Sequence, residues 1–168
     1  FHTRITADDV YREGITKVTP ADFESARALG CTIKLLSICE RITTGEGPEL
    51  VSARVYPALV PLTHPLATVN GAFNAVVVEA EASGRLMFYG QGAGGKPTAS
   101  AVMGDLVMAA RNRVQGGRGP RESKYAQLPI APMGVIPTRY YVSMIVKDRP
   151  GVLSSVAAEF GNREVSIA

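Results

Sequence analysis

Histidine, cysteine and long apolar runs are all scarce in this chain, and each scarcity removes a class of function. Two histidines and two cysteines occur among 168 residues, so no His/Cys/Asp cluster stands at the spacing a metal ion requires. His64 lies in the proline corner Thr63-His64-Pro65-Leu66, where a structural or solvent-facing role outweighs a catalytic one. No serine occupies a nucleophile elbow. Cys31 and Cys39 fall on one expected strand, facing the same way but well apart, the pattern of reduced, partly buried thiols in a cytoplasmic protein. No apolar run approaches the roughly 18 residues of a membrane-spanning helix. An initiator methionine and a signal peptide are also missing, and Phe1-His2-Thr3-Arg4 reads as mid-domain sequence, so a fragment is expected.

What is present is an ordinary globular composition, 46% hydrophobic and 20% charged. The net charge is +3, much of it from Arg111, Arg113, Arg118, Arg121 and Lys124 around a Gly/Pro-rich stretch. Without aromatics interleaved, these charges read as a solvated linker in preference to an RNA-binding segment. Neither a nucleic acid nor a membrane is an expected partner.

Along the chain, Thr6-Ala7-Asp8-Asp9 starts a short helix expected to end near Gly14. Thr19 caps a second helix, with Pro20 at its first position and Gly30 at its end. Extended chain follows from Thr32 to Ile42 and again from Leu50 to Tyr56, where alternation marks a half-buried strand. Pro57, Pro61 and Pro65 are expected to break the chain. Residues Phe73–Ala80 and Arg85–Tyr89 form a hairpin about an Ala82-Ser83-Gly84 turn. The helix from Pro97 to about Asn112 carries Val102, Met103, Leu106, Val107 and Ala110 on one stripe, suited to covering a sheet face. The sum is an α+β layer with a mixed, mainly antiparallel sheet covered by helices. Residues 113–136, dense in Gly and Pro, read as a linker in which Leu128-Pro129-Ile130-Ala131-Pro132 forms no regular structure. A new unit covers 137–168, with a strand at Tyr140–Val146, a helix opened by Pro150 and a strand beginning at Val165-Ser166-Ile167-Ala168.

Two motifs carry chemistry. Gly90-Gln91-Gly92-Ala93-Gly94-Gly95 lies between the hairpin and the helix. Glycines allow close approach of a ligand to backbone, and a helix start behind them offers free N–H groups. The cluster matches G-x-G-x-x-G, but a hairpin before it and a loop after it are the wrong neighbours for a Rossmann fingerprint. A ligand loop and a plain strand-to-helix corner both remain open on these residues. Lys34 and Lys96 are isolated lysines, and Asp8, Asp9, Glu46 and Glu49 read as capping or loop charges. The second motif, Asp148-Arg149-Pro150-Gly151-Val152-Leu153, resembles the first strand-to-helix turn of an ACT domain, a small amino-acid sensor of ferredoxin-like fold. Gly151 and the helix start would suit a bound amino acid, and an ordinary turn is the alternative.

Taken end to end, the chain resembles homoserine dehydrogenases of the actinobacterial type that carry a C-terminal ACT domain. The segments that carry this resemblance are Asp9-Val10-Tyr11-Arg12-Glu13-Gly14-Ile15, Ile33-Lys34-Leu35-Leu36, His64-Pro65-Leu66-Ala67, Asn74-Ala75-Val76 and the glycine cluster running into Pro97-Thr98-Ala99-Ser100-Ala101-Val102 and Asp105-Leu106. The resemblance implies an oxidoreductase that interconverts L-homoserine and L-aspartate 4-semialdehyde with NADP or NAD, in the route to threonine, methionine and isoleucine. It implies that residues 1–112 are the C-terminal part of the catalytic and dimerisation domain and 137–168 the first βαβ part of a truncated ACT domain. Gly94 is the implied cofactor contact, with Gly92 and Ala93 beside it in the loop. Glu13 and Gly14 would border the substrate pocket, and Asp148 and Gly151 the site of an effector, threonine. The catalytic lysine and its acidic partner would lie on a helix before Phe1, so no catalytic residue is assigned and the chain alone is expected to be inactive. The resemblance implies a homo-oligomer in which the strands at 32–42 and 50–56 take part, while the residues alone equally allow a face covered by a helix. The competing expectation is a free-standing dimerisation and threonine-sensing module without catalysis.

Overall fold

The computed structural model describes residues 1–43, 45, 47–119 and 126–166. Glu46, Pro120, Arg121, Lys124, Ile167 and Ala168, all drawn into the sequence reading, lie outside the described residues. The chain separates into two compact units, Phe1–Ile136 and Pro137–Ala168.

Local chemistry sets the first elements. At Thr6 the Asp9 carboxylate accepts from both the backbone N–H and the hydroxyl at 2.7 Å. The helix expected there is a single 3-10 turn, Ala7–Asp9. Val10 and Tyr11 favour extended backbone, and β1 (Tyr11–Arg12) pairs in parallel with Arg54 and Val55. The cap at Thr19 succeeds where the first does not. Asp22 accepts from the Thr19 N–H at 2.8 Å, Pro20 stands at the first helical position, and α1 runs Pro20–Ala28. Gly30, at φ +68°, ends it and turns the chain into β2, Cys31–Thr43.

β2 pairs antiparallel with β3 (Glu49–Pro61) over its whole length, Cys31 opposite Pro61 and Thr43 opposite Glu49. The break expected at Pro57 does not occur, and parity explains why. Val55 accepts from the Glu13 N–H at 2.8 Å and Val51 donates to the Pro129 carbonyl at 2.9 Å. Odd-numbered residues of β3 therefore turn their backbone groups away from β2. Even-numbered Leu62 turns the other way, donating to Gly30 at 3.0 Å. Pro57 and Pro61 are odd, so their missing N–H groups face the outer edge and the ladder to β2 loses nothing.

Among the described residues the buried apolar side chains are Ala26, Val51, Ala53, Val60, Ala131 and Ile136. The last two come from the proline-rich stretch expected to be linker. Pro129 and Pro132 keep it out of a strand, yet Ile130 bridges Val51 and Ala131 donates to the Val51 carbonyl at 2.8 Å. That stretch is thus part of the core around the central strand.

After a 3-10 turn at Pro65–Thr68 come β4 (Phe73–Ala80) and β5 (Gly84–Gln91), an antiparallel hairpin whose turn closes at Gly84, φ +67°. The hairpin is a sheet of its own, beside the three-stranded sheet ordered β1-β3-β2. One sheet was the simpler expectation, because strand count alone carries no information on partners. α2 (Gly95–Gln115) follows directly and ends on Gly116 in the left-handed region. Its stripe Val102, Met103, Leu106, Val107 and Ala110 stands exposed, Val102 at 60%, so it does not cover a sheet face as expected.

In the second unit, α3 spans Val152–Gly161. The strand expected at Tyr140–Val146 is absent, and Val165-Ser166 are also without regular structure. A strand is stabilised by its ladder, and among the described residues of this unit no second strand offers one.

Candidate functional site

The glycine corner is built by the hairpin. Phe73 and Tyr89 stack at 4.9 Å with their rings 4° apart, and Gly90 lies opposite Asn74. The Gly92 N–H donates to the Ala72 carbonyl at 2.9 Å, extending the hairpin by one bond. A Cβ on Gly92 would lie 1.8 Å from Nδ2 of Asn74, so the Asn74 amide fills the space a side chain would need. Gly94 has φ +125° and ψ 147°, a conformation open essentially to glycine alone. Its carbonyl accepts from Thr98 at 3.1 Å to start α2.

Gly94 has no side chain with which to cap α2, and Pro97 has no N–H to offer. The N–H groups of Gly95 and Lys96 open the helix without a side-chain cap, and open space surrounds the Cα of Gly90 and of Gly95. Lys96 adds a full positive charge to the partial charge of the helix start. The arrangement is a backbone donor surface, accessible and positive, suited to a carbonyl, amide or phosphate oxygen. It contains no acid, base or nucleophile placed for bond-making.

The other expected site residues belong to other elements. Glu13 docks by its backbone on Val55 and its carboxylate accepts from the Tyr11 hydroxyl at 3.3 Å. Gly14 follows it with open space at its Cα. Both belong to the β1 edge of the three-stranded sheet, whereas Gly92, Ala93 and Gly94 follow the hairpin sheet. Asp148 and Gly151 belong to the second unit, where Gly151 caps α3 at φ +88° and its carbonyl accepts from the Ser155 hydroxyl at 3.0 Å.

His64 caps the 3-10 turn, its Nδ1 accepting from the Leu66 N–H at 3.2 Å. Cys31 and Cys39 are free thiols; Cys31 is half-buried, but Cys39, expected to be partly buried, is exposed, and partial desolvation with Glu40 beside it still pushes its thiol up. Among the described residues no His/Cys/Asp/Glu group could hold a metal ion, and no helix is long and apolar enough to cross a membrane.

Sequence reasoning missed one polar residue outright and read another, Lys34, as isolated. Arg54 is 6% exposed on β3 and pairs with Glu40 at 2.7 Å. It also donates to Ser52 Oγ at 2.5 Å and Tyr56 OH at 3.4 Å. Burial opposes its charge, but Tyr56 and Glu40 outweigh burial and hold the guanidinium above its ordinary value. The alternation Ser52-Arg54-Tyr56 on one strand face was the signal available. The second is Lys34, whose Nζ donates to the Val69 carbonyl at 2.5 Å and to Asn70 Oδ1 at 3.0 Å.

Small, mainly antiparallel sheets with helices attached, and a glycine corner that no parallel strand follows among the described residues, define a mixed α/β protein whose corner is not a Rossmann start. The chain belongs to the homoserine dehydrogenase family, whose family model matches residues 1–107, taking in both sheets and the corner and ending within α2. A homoserine dehydrogenase of Mycobacterium tuberculosis is 86% identical over 168 residues, all of this chain and 38% of the relative. That of Corynebacterium glutamicum is 60% identical over 167 residues, 99% of this chain and 38% of the relative. Among solved structures, a homoserine dehydrogenase from Thiobacillus denitrificans aligns with a TM-score of 0.79 at 35% identity, over 96% of this chain and 38% of that one. The chain spans about 38% of the length of the curated relatives it matches.

Proposed function

We propose that this chain is part of an NAD(P)-dependent homoserine dehydrogenase acting on L-homoserine and L-aspartate 4-semialdehyde in the cytoplasm, on the route to threonine, methionine and isoleucine. The observation that carries the reading is the glycine corner, which lies inside the residues shared with the family. Its exposed backbone donors and the open space at Gly90 and Gly95 fit the polar edge of a dinucleotide. When bound, the cofactor supplies hydride transfer. Gly92, Ala93 and Gly94 would shape the loop at the nicotinamide end, and the N–H groups of Gly95 and Lys96 would orient it. Glu13 and Gly14 would border the substrate.

The acid–base groups of the reaction belong to the rest of the protein, so the chain by itself is inactive. Two copies would meet through the three-stranded sheet, where β2 carries no further strand on its outer edge among the described residues. Residues 137–168 would begin an ACT domain in which Asp148 and Gly151 meet threonine. The Gly151 backbone, left-handed at the start of α3, supports that reading.

The test is made on the whole enzyme. A substitution at Gly94 strains the loop whatever it does to the cofactor, so the informative change is Gly95→Val, where space is open and the backbone is already helical. The expected result is a cofactor KM raised about tenfold with an unchanged Tm. An unchanged cofactor KM would remove the corner from the cofactor site. Homoserine-dependent NADP reduction by the chain alone would overturn its assignment as inactive.

A further inference from the structure

We infer that Lys34 is a positioning residue for the glycine corner, acting from the three-stranded sheet on a loop of the hairpin sheet; its effect on the cofactor rests on the reading of the corner given above. Lys34 lies within β2, opposite Ala58. Its ammonium reaches out of that sheet to the Val69 carbonyl and the Asn70 side-chain oxygen, at 2.5 and 3.0 Å. Asn70 passes the constraint on: its Nδ2 donates to the Thr68 carbonyl at 3.1 Å, and its own carbonyl accepts from the Phe73 N–H at 3.3 Å. Two residues after Asn70, the Ala72 carbonyl holds the Gly92 N–H at 2.9 Å. Between the ammonium and the corner lie only residues 69–72, with Gly71 at φ +63° making the turn.

The hairpin needs such a support. Two strands alone are marginally stable, and no ladder joins β4 or β5 to the other sheet among the described residues. A charge-assisted hydrogen bond to a half-buried carbonyl is among the stronger single links available. The residue type follows from the geometry. A long cation reaches two acceptors at once, whereas an apolar side chain at 34 would leave the Val69 carbonyl without its donor. Lys34 does not act on the cofactor directly. It fixes where Ala72 presents its carbonyl, and so where Gly92 begins the corner.

The experiment uses the whole enzyme carrying Lys34→Met, with Lys34→Arg as the conservative partner. For Lys34→Met the cofactor KM should rise about fivefold while the homoserine KM stays unchanged, and Lys34→Arg should restore most of the loss. Amide exchange followed by mass spectrometry without cofactor should show faster exchange at 69–74 and 90–95 and unchanged exchange across Cys31–Thr43. Asn70→Ala removes only the side-chain acceptor, should give the same pattern more weakly, and decides the matter if Lys34→Met does not fold. Unchanged exchange at 90–95, or exchange raised equally across β2 and β3, would overturn the proposal. So would faster exchange at the corner with an unmoved cofactor KM in an enzyme whose cofactor KM does respond to Gly95→Val. If Gly95→Val itself leaves that KM untouched, the cofactor reading of the corner fails, and exchange at 90–95 alone still decides whether Lys34 holds the corner.

Discussion

A methyl group added at position 94 and one added at position 95 should do opposite things. At Gly94, with φ +125° and ψ 147°, any L side chain is strained, at a cost of about 1–3 kcal/mol. At Gly95 the backbone is helical and the space open, so alanine should be neutral or mildly favourable, since glycine is the poorer helix former by up to about 1 kcal/mol. Urea unfolding of Gly94→Ala and Gly95→Ala would show the contrast directly. Arg54 makes the second point at this scale. Arg54→Met removes a buried cation held by Glu40, Ser52 and Tyr56, and should destabilise the chain by about 2 kcal/mol, below the full cost of breaking a buried pair because Glu40 is 41% exposed and stays hydrated. Residue types at both places are plain in the sequence. The dihedral angles at Gly94 and the burial of Arg54 are not, because each is imposed by neighbours that arrive from elsewhere in the chain.

Strands and helices show which signals are local. The α1 cap was legible because every part of it lies within Thr19-Pro20-Ala21-Asp22. The backbone and hydroxyl of Thr19 hold the Asp22 carboxyl below its ordinary range. A carboxyl lowered in the folded state contributes stability above its unfolded value, and that contribution is lost as pH falls through the folded value. Helicity at Pro20–Ala28 should therefore decline on the acid side, and in Thr19→Ala the Asp22 titration, read by NMR, should return toward an ordinary carboxylate. The hairpin was equally legible, its turn glycine and alternation being local. The passage of β3 through Pro57 was not, because proline content says nothing of which way the nitrogen points. Pro57→Ala should leave stability nearly unchanged, whereas Ala58→Pro, one residue on, faces β2 opposite Lys34 and should cost about 3 kcal/mol or more by denaturant unfolding. Lys34 escaped for a related reason, since its partner Val69 is 35 residues away and nothing in the spacing announces it. Alternation at Tyr140–Val146 made the opposite error, a strand pattern with no strand to pair with among the described residues.

Over the whole chain, apolar surface is the dominant unsatisfied quantity. Val76, Val78, Leu86 and Phe88 share one face of the hairpin and are 41–63% exposed, and the α2 stripe is exposed as well. Contiguous apolar patches of this kind mark contact surfaces. The chain on its own should bind a hydrophobic dye strongly, and Val76→Ser with Phe88→Ser should suppress that binding; the whole enzyme should bind the dye weakly. The family was legible in ordered segments spread over the chain, and the corner could be located without its geometry. The sheet division could not be read, because it depends on partners and not on propensity.

Pro57 and Pro61 also bear on the stoichiometry of the proposed pairing. On the outer side of β3 they withhold the donors that a further strand would need, and the short β1 and residues 129–131 occupy places on that same side. Among the described residues the long open edge of this sheet is that of β2. In the proposed pairing across β2 each copy would turn the proline-bearing side of β3 away from its partner, where only the two-residue β1 and residues 129–131 lie. Assembly by that route would close as a pair and would not run on into a filament.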